Sequence, residues 1–274
     1  MGIQVRFSRE CLELRDLLKL AKGFKLFKKL GQHFMVDCNL ALEVLGKLKE
    51  ICPKRECCVY ELGSGLGSLT LFLKSYFDYV MCSEIDVRFA DYLKKRFTND
   101  LIDVIASDGI PLISALRENC VLVSNTPYVV SSQIVVAVVK SGIKSAVLVL
   151  QEEVARKLAA VPGEPNYGRI TAFTQTFMNV ELGGSYPPGS FRPKPKVWST
   201  VVVLKRKREW RETMRGYEEF LKCLFNQRKR VLARRLKECL GVAPSSELLK
   251  MRVFTAGPEY LFQLYTSSVR EAQV

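Results

Sequence analysis

Residues 59–73 read Val-Tyr-Glu-Leu-Gly-Ser-Gly-Leu-Gly-Ser-Leu-Thr-Leu-Phe-Leu, "VYELGSGLGSLTLFL". A run of strand composition ends at Glu61-Leu62, glycines follow at every second position (Gly63, Gly65, Gly67), and a helical pattern begins at once. Glycine permits a sharp turn and lets a ligand approach without a Cβ in the way, and the helix behind the turn opens with unpaired N–H groups. The spacing G-x-G-x-G behind an acid differs from the G-x-G-x-x-G of dinucleotide binders, which argues against a nicotinamide cofactor.

Outward from this turn, short apolar runs alternate with helical patterns. The runs are "VYEL" (59–62), "YVMCSEI" (79–85), "VIASD" (104–108), "VLVSN" (121–125) and "AVLVLQ" (146–151); "SLTLFLKSYF" and "RFADYLKKRF" lie among them. That alternation predicts a mostly parallel, Rossmann-like α/β sheet with helices on both faces. The bulkier runs suit strands buried on both sides. "TFMNVEL" (176–182) and "VWSTVVVLKRK" (197–207) flank the proline-rich loop "SYPPGSFRPKPK" and read as two further strands, antiparallel to each other. Past Leu204 the composition changes: from Lys205 to Glu238 there are 13 Lys or Arg against 5 acids, in a helical pattern. Two domains are expected, residues 1–204 for ligand binding and catalysis and 205–274 as a small basic all-helical domain.

The N-terminal stretch, about residues 1–30, predicts a helix with Leu12, Leu17 and Leu20 on one face. A basic arm follows (Lys22, Lys25, Lys28, Lys29). Glu10, Glu13 and Asp16 are wrong for a transit peptide.

The whole chain has 274 residues, a formal charge of +14 and a pI near 9.4, so a polyanion, nucleic acid first, is the expected partner. Nine cysteines at irregular spacing, with no C-x-x-C pair, suggest reduced thiols in a cytoplasmic protein and no metal site. No apolar run nears the roughly 18 residues of a membrane span, and nothing demands an oligomer; a soluble monomer with no membrane partner is expected.

Polar residues, Glu61, Glu84, Asp108 and Asn125, stand at the carboxyl ends of four of these strands. Glu84 follows Gly63 by 21 residues and can reach ribose hydroxyls, Asp108 can accept from an adenine amino group, and Asn125 completes the row. Any one alone is as well read as a helix cap or turn residue; together they predict a nucleoside pocket. Asn125 also opens Asn125-Thr126-Pro127-Tyr128. The Asn125 side-chain oxygen and the Thr126 carbonyl can accept the two hydrogens of an exocyclic adenine amine, Pro127 stiffens the backbone, and Tyr128 offers a stacking face.

The chain resembles the rRNA adenine dimethyltransferase family of class I S-adenosylmethionine-dependent methyltransferases. The match runs in order through "LGQHFMVD", "ELGSGLG", "SEID", "SDG", "SNTPY", "QEEVARKL", "NYGR", "PPGSFRPKPKVWSTVV" and "FNQRKR". That resemblance implies a cofactor wall of His33, Met35, Gly63, Gly65, Glu84, Ile85, Asp108, Gly109 and Asn125 around S-adenosyl-L-methionine, with S-adenosyl-L-homocysteine as product. It makes His33, the only histidine, part of that wall and not a base. It implies Phe191 as a second aromatic over the adenine, and it has Leu where Thr126 stands. Its expected activity is N6,N6-dimethylation of two adjacent adenosines near the 3′ end of small-subunit rRNA, within a partly assembled subunit. Arg228, Lys229, Arg230, Arg234 and Arg235 are the expected RNA contacts. Two other readings fit the same residues: an assembly or transcription factor acting by binding, and an N6-adenine methyltransferase on DNA or large-subunit rRNA.

Overall fold

A computed structural model of the chain describes residues 9–21, 31–55, 57–98, 100–241 and 250–271. By backbone packing it divides into two units. One holds the described residues up to Glu152 together with Leu182–Leu204; the other holds Glu153–Glu181 and the described residues from Lys205 on.

The first unit opens with α1 (Arg9–Ala21), the two-residue β1 (Phe34–Met35) and α2 (Cys38–Ile51). The glycine turn sits where the sequence predicts it, between β2 (Cys58–Leu62) and the one-turn α3 (Thr70–Leu73). β3 (Val80–Glu84), α4 (Val87–Arg96), β4 (Ile102–Ala106), β5 (Cys120–Asn125), α5 (Ser131–Lys140) and β6 (Ser145–Gln151) follow. With β7 (Met178–Tyr186) and β9 (Ser199–Arg206) they form a seven-stranded sheet of order β4-β3-β2-β5-β6-β9-β7, and β2 through β6 pair in parallel. In β7 and β9 the contacts Ser185–Thr200 and Glu181–Lys205 run in opposite senses along the two strands, as the predicted antiparallel pair requires. Thr176 and Phe177, expected in that strand, end the helix before it. Inside the proline-rich loop, β8 (Phe191–Arg192) pairs antiparallel with β1.

The central strands are buried along almost their whole length, as helices packed on a parallel sheet demand. The core gathers Met35, Leu40, Val44, Phe72, Val123 and Val201, and α1 contributes Cys11, Leu14 and Leu17. Leu12, expected on that face, is 53% exposed. The buried stripe turns on Cys11, a small apolar side chain that a count of leucines overlooks. Lys22, Lys25, Lys28, Lys29 and the side chain of Leu20 lie outside the described residues.

The cysteines, read from the sequence as reduced thiols, are brought together in pairs by the fold. Disulfides join Cys11–Cys38, Cys52–Cys57, Cys58–Cys120 and Cys223–Cys239, leaving Cys82 free and buried. Linear spacing hides such pairs because the fold creates the adjacency: Cys58 and Cys120 are register partners on neighbouring strands.

After α6 (Glu152–Ala159), the second unit packs α7 (Arg169–Phe177) on α8 (Arg215–Phe225) and α10 (Pro258–Glu271), with α9 (Leu232–Leu240) against α8. Phe177 is the hub, in edge contact with Phe173, Trp210, Tyr217 and Phe262. Those rings explain why residues 153–181 group with the C-terminal helices, whereas the sequence assigns them to the first domain. No described helix is long and apolar enough to cross a membrane.

One buried acid ties β2 to α3. Glu61 is 1% exposed and accepts from Thr70 Oγ1 at 2.6 Å and from Cys82 Sγ at 3.6 Å. Burial pushes its pKa up to about 7 against the opposing pull of those hydrogen bonds.

Two measurements test this packing. Leu14→Ala is expected to cost about 2–5 kcal/mol in urea denaturation and Leu12→Ala about 0.5 kcal/mol or less, and equal costs would mean that the buried face of α1 is misassigned. For Glu61, the folded state keeps a proton that the unfolded chain releases, so stability falls as pH rises from about 4.5 to about 7. Wild type therefore loses about 2–3 kcal/mol relative to Glu61→Gln between pH 5 and pH 8. A difference that does not move with pH would show Glu61 ionising normally.

Candidate functional site

In the order β4-β3-β2-β5 the parallel strands end side by side, which sets Glu84, Gly63 and Asn125 along one sheet edge. A cleft opens there with about 590 Å³ of empty space, solvent at its mouth included. Its walls include His33, Met35, Gly63, Gly65, Glu84, Ile85 and Asn125 from the predicted set. Glu61, at its strand end, lines the cleft too, and Gln32, Phe34, Ser64 and Ser68 are wall residues that the sequence does not single out. Gln32 and Phe34 stand inside "LGQHFMVD", so the motif was seen, but only the β1–β8 pairing carries it to the sheet edge.

The turn is shaped for close approach. Gly65 has φ +56°, and a Cβ there would stand 2.9 Å from the Phe34 ring, which itself packs edge-on against Phe89. The Gly65 N–H donates to Glu84 Oε2 at 2.7 Å, and Asp86 N–H donates to Oε1 at 2.9 Å. A carboxylate has about four acceptor positions, so Glu84 keeps acceptor capacity toward the cleft beside these main-chain donors. Asp86 is itself held by Arg88 at 2.6 Å and by Gln32 at 3.1 Å, which keeps its carboxyl below the ordinary range.

Asp108 and Gly109 do not reach the cleft. Asp108 is exposed and its carboxylate caps its own turn by accepting from Ile110 N–H at 3.0 Å. Gly109 is buried under β3, its carbonyl accepting from the Tyr60 hydroxyl at 3.0 Å. Both stand outside the lining of the cleft, where a short polar residue after a strand caps its turn.

At the other end of the cleft stands Asn125-Thr126-Pro127-Tyr128. Asn125 Nδ2 donates to the His33 carbonyl at 2.8 Å, and since a carbonyl can only accept, this orients the amide and leaves Oδ1 with no donor among the described residues. Thr126 is buried, with its N–H on the Val149 carbonyl and no described donor on its own carbonyl. Tyr128 stacks on His33 with ring centroids 5.3 Å apart, and its hydroxyl lies 2.6 Å from Ser199 Oγ. Burial raises the Tyr128 pKa against the opposing Ser199 bond, so the side chain is a neutral phenol. His33 Nδ1 meets the Pro193 carbonyl at 2.7 Å and is therefore the protonated ring nitrogen. Ser199, unforeseen as a site residue, is the support that pins Tyr128; its only sequence signal was its place in "VWST".

Phe191 is corrected. The β1–β8 register sets it beside Met35, both are fully buried in the core, and the ring is not open to an incoming base.

In the second unit the predicted basic residues separate into two kinds. Lys229 and Arg230 are exposed on the turn between α8 and α9, and Arg234 is exposed and paired with Glu238 at 3.3 Å. Arg228 spends Nη1 on the Pro165 and Tyr167 carbonyls at 2.8 and 2.7 Å. Arg235 is 6% exposed and its guanidinium binds Glu238 and the Cys223 carbonyl, so it is a structural residue and not a surface contact. Helical charge counting cannot tell a buried arginine from a free one.

With this geometry the comparisons agree. The family model for ribosomal RNA adenine dimethylase matches residues 23–255. A probable ribosomal RNA small subunit methyltransferase A of Aeropyrum pernix is 34% identical over 215 residues, covering 78% of this chain and 76% of its own. Its counterpart in Methanothermobacter thermautotrophicus is 31% identical over 267 residues, covering 92% and 94%. Among solved structures, a dimethyladenosine transferase from Plasmodium falciparum superposes with TM-score 0.71 at 22% identity over 84% of this chain and 96% of that one. The 23S rRNA methyltransferase ErmE gives 0.59 at 23% identity, covering 85% and 98%, a likeness of fold. A glycine turn against a buried acid, an amide held with its oxygen open beside a pinned tyrosine, and a family match over most of the length lead to one conclusion: the chain belongs to the ribosomal RNA adenine dimethylase family, a family of methyl-transferring enzymes.

Proposed function

We propose that the cleft binds S-adenosyl-L-methionine and that the chain dimethylates the N6 atoms of two adjacent adenosines near the 3′ end of small-subunit rRNA, working as a monomer on a partly assembled subunit in the cytoplasm. The observation that carries this is the Asn125 amide, held by the His33 carbonyl with Oδ1 open, beside Tyr128. The cleft fits the cofactor: a glycine turn that a Cβ would block, a Glu84 carboxylate with acceptor capacity to spare, and a mouth open to solvent. Gly63 faces its methionine part and Glu84 its ribose. When bound, it supplies a methyl group on a positively charged sulfur and leaves as neutral S-adenosyl-L-homocysteine.

The protein's own residues handle the amine. The N6 lone pair of adenine is delocalised into the ring, so the nitrogen is a weak nucleophile. In the first transfer Asn125 Oδ1 and the Thr126 carbonyl accept its two hydrogens, favour a pyramidal nitrogen and oppose the positive charge that develops as the N–C bond forms and the S–C bond breaks. One N6 proton then leaves to solvent, and in the second transfer the one remaining N–H is held and lost in the same way. Pro127 stiffens the backbone that carries both acceptors. Tyr128, pinned by Ser199 and backed by His33, gives the extruded base a face to stack on. With Phe191 buried, one face of the base is served by Tyr128 and the other is left to different residues or to RNA. Lys229, Arg230 and Arg234 meet phosphates, in keeping with the basic composition of the second unit.

The test is methyl transfer to unmodified small subunits, large-subunit rRNA and DNA, with nucleosides identified by mass. Dimethyladenosine from small subunits is expected, and its absence there would sink the proposal. Asn125→Ala is expected to lower kcat about 10²–10³-fold in a chain that still folds, and a kcat within a few-fold of wild type would remove Asn125 from the chemistry. For the second unit, joint replacement of Lys229 and Arg230 by Ala is expected to lower the salt dependence of RNA binding by about two counterions. Arg235→Ala should instead cost about 1–3 kcal/mol of stability and leave that slope unchanged.

A further inference from the structure

The chain's two tryptophans have opposite surroundings. Trp210 packs against Phe173 and Phe177, whereas Trp198 is 48% exposed and meets no ring among the described residues. A half-exposed indole is a large apolar surface left in water, and a tryptophan so placed suits a contact with something outside the chain.

Its location is tied to the acceptor site at both ends of one loop. At the start, the Pro193 carbonyl holds His33 Nδ1 at 2.7 Å; at the finish, Ser199 Oγ holds the Tyr128 hydroxyl at 2.6 Å. His33 and Tyr128 are the two stacked rings beside Asn125. The intervening loop hangs from those rings, and Trp198 is next to Ser199, its Cα about 3.8 Å away. Glu152 N–H donates to the Trp198 carbonyl at 2.9 Å, which anchors the backbone at the end of β6. The exposed lysines Lys194 and Lys196 precede it, and no described carboxylate pairs with either. Cations interleaved with an aromatic ring are the pattern that binds unpaired nucleotides, the cations on phosphates and the ring on a base.

We propose that residues 194–198 form a platform for the nucleotide adjoining the reacting adenosine, with Trp198 stacked on its base and Lys194 and Lys196 on the flanking phosphates. Extruding one base unstacks its neighbour, and an indole one residue from the Tyr128 support replaces the lost stack. The positive loop complements RNA and is continuous with the acceptor site, which sets the occupant as single-stranded RNA. This inference rests on the reading of Asn125–Tyr128 as an adenosine acceptor site.

The experiment measures binding of the full chain to single-stranded RNA decamers that carry two adjacent adenosines, with the neighbouring base on either side intact or removed as an abasic site. Wild type is expected to bind the intact decamer roughly tenfold more tightly than one of the abasic forms. Trp198→Ala should bind both equally at the weaker level, and Trp198→Phe should recover most of the difference. Unchanged affinity of both variants for S-adenosyl-L-methionine checks their folding. In methyl transfer, Trp198→Ala should raise KM for small subunits roughly tenfold with kcat within about twofold of wild type. Replacing Lys194 and Lys196 by Ala should lower the salt slope by about two and keep the intact-against-abasic difference. A wild type that methylates subunits yet binds all decamers alike, or a Trp198→Ala chain with wild-type KM, overturns the platform alone. A wild type that methylates no RNA overturns the acceptor-site reading, and the platform falls with it.

Discussion

The hydrogen bond from the Asn125 amide to the His33 carbonyl joins residues 92 positions apart, and the acceptor end of the site depends on it. It decides which end of the amide faces outward, because a carbonyl oxygen admits only the donor nitrogen. It also holds the segment before β1 against the end of β5, which lets the His33 ring lie on Tyr128 and turn Nδ1 to Pro193. From there the chain of contacts runs through Ser199 back to Tyr128. Three segments distant in sequence thus lock one another, and none could hold an amide oxygen or a phenol ring in place alone. Such mutual support is what a methyl transfer needs, since orientation of the amine is most of what the protein contributes.

The cleft beside that cluster is built on different physics. Glu61 and Glu84 are both buried, and burial raises the pKa of each. Their roles diverge through their partners. Glu61 takes a hydroxyl and a thiol and braces β2 against α3, whereas Glu84 takes main-chain N–H groups, one from the glycine turn, and keeps acceptor capacity toward the cleft. One acid makes the turn rigid and the other makes it receptive. The missing Cβ of Gly65 completes the arrangement, since Phe34 occupies the space a larger residue would need.

The second unit shows how far charge can mislead. Its basic helices look uniform on paper, yet Arg235 and Arg228 spend their guanidinium groups on carbonyls inside the unit, while Lys229 and Arg230 stay exposed. The burial of Arg235 follows from its place on α9, whose inner face also carries Leu232 and Leu236. A stem of methylenes lets arginine sit on that face, provided its head finds acceptors.

Much was legible in the residues themselves. Alternating apolar runs and a G-x-G-x-G turn specify a parallel sheet, because strand burial and φ-positive turns are local demands that composition answers locally. The row of Gly63, Glu84 and Asn125 follows from the same logic, since each ends a strand. What the sequence did not determine was whatever depends on contact between distant segments. The β1–β8 pairing buried Phe191, register made neighbours of Cys58 and Cys120, and an aromatic hub drew residues 153–181 to the C-terminal helices. A cap on its own turn set Asp108 outside the cleft lining. Local pattern tells a side chain what it can do, while tertiary packing decides which surface it meets, because burial and hydrogen-bond partners are properties of neighbours in space.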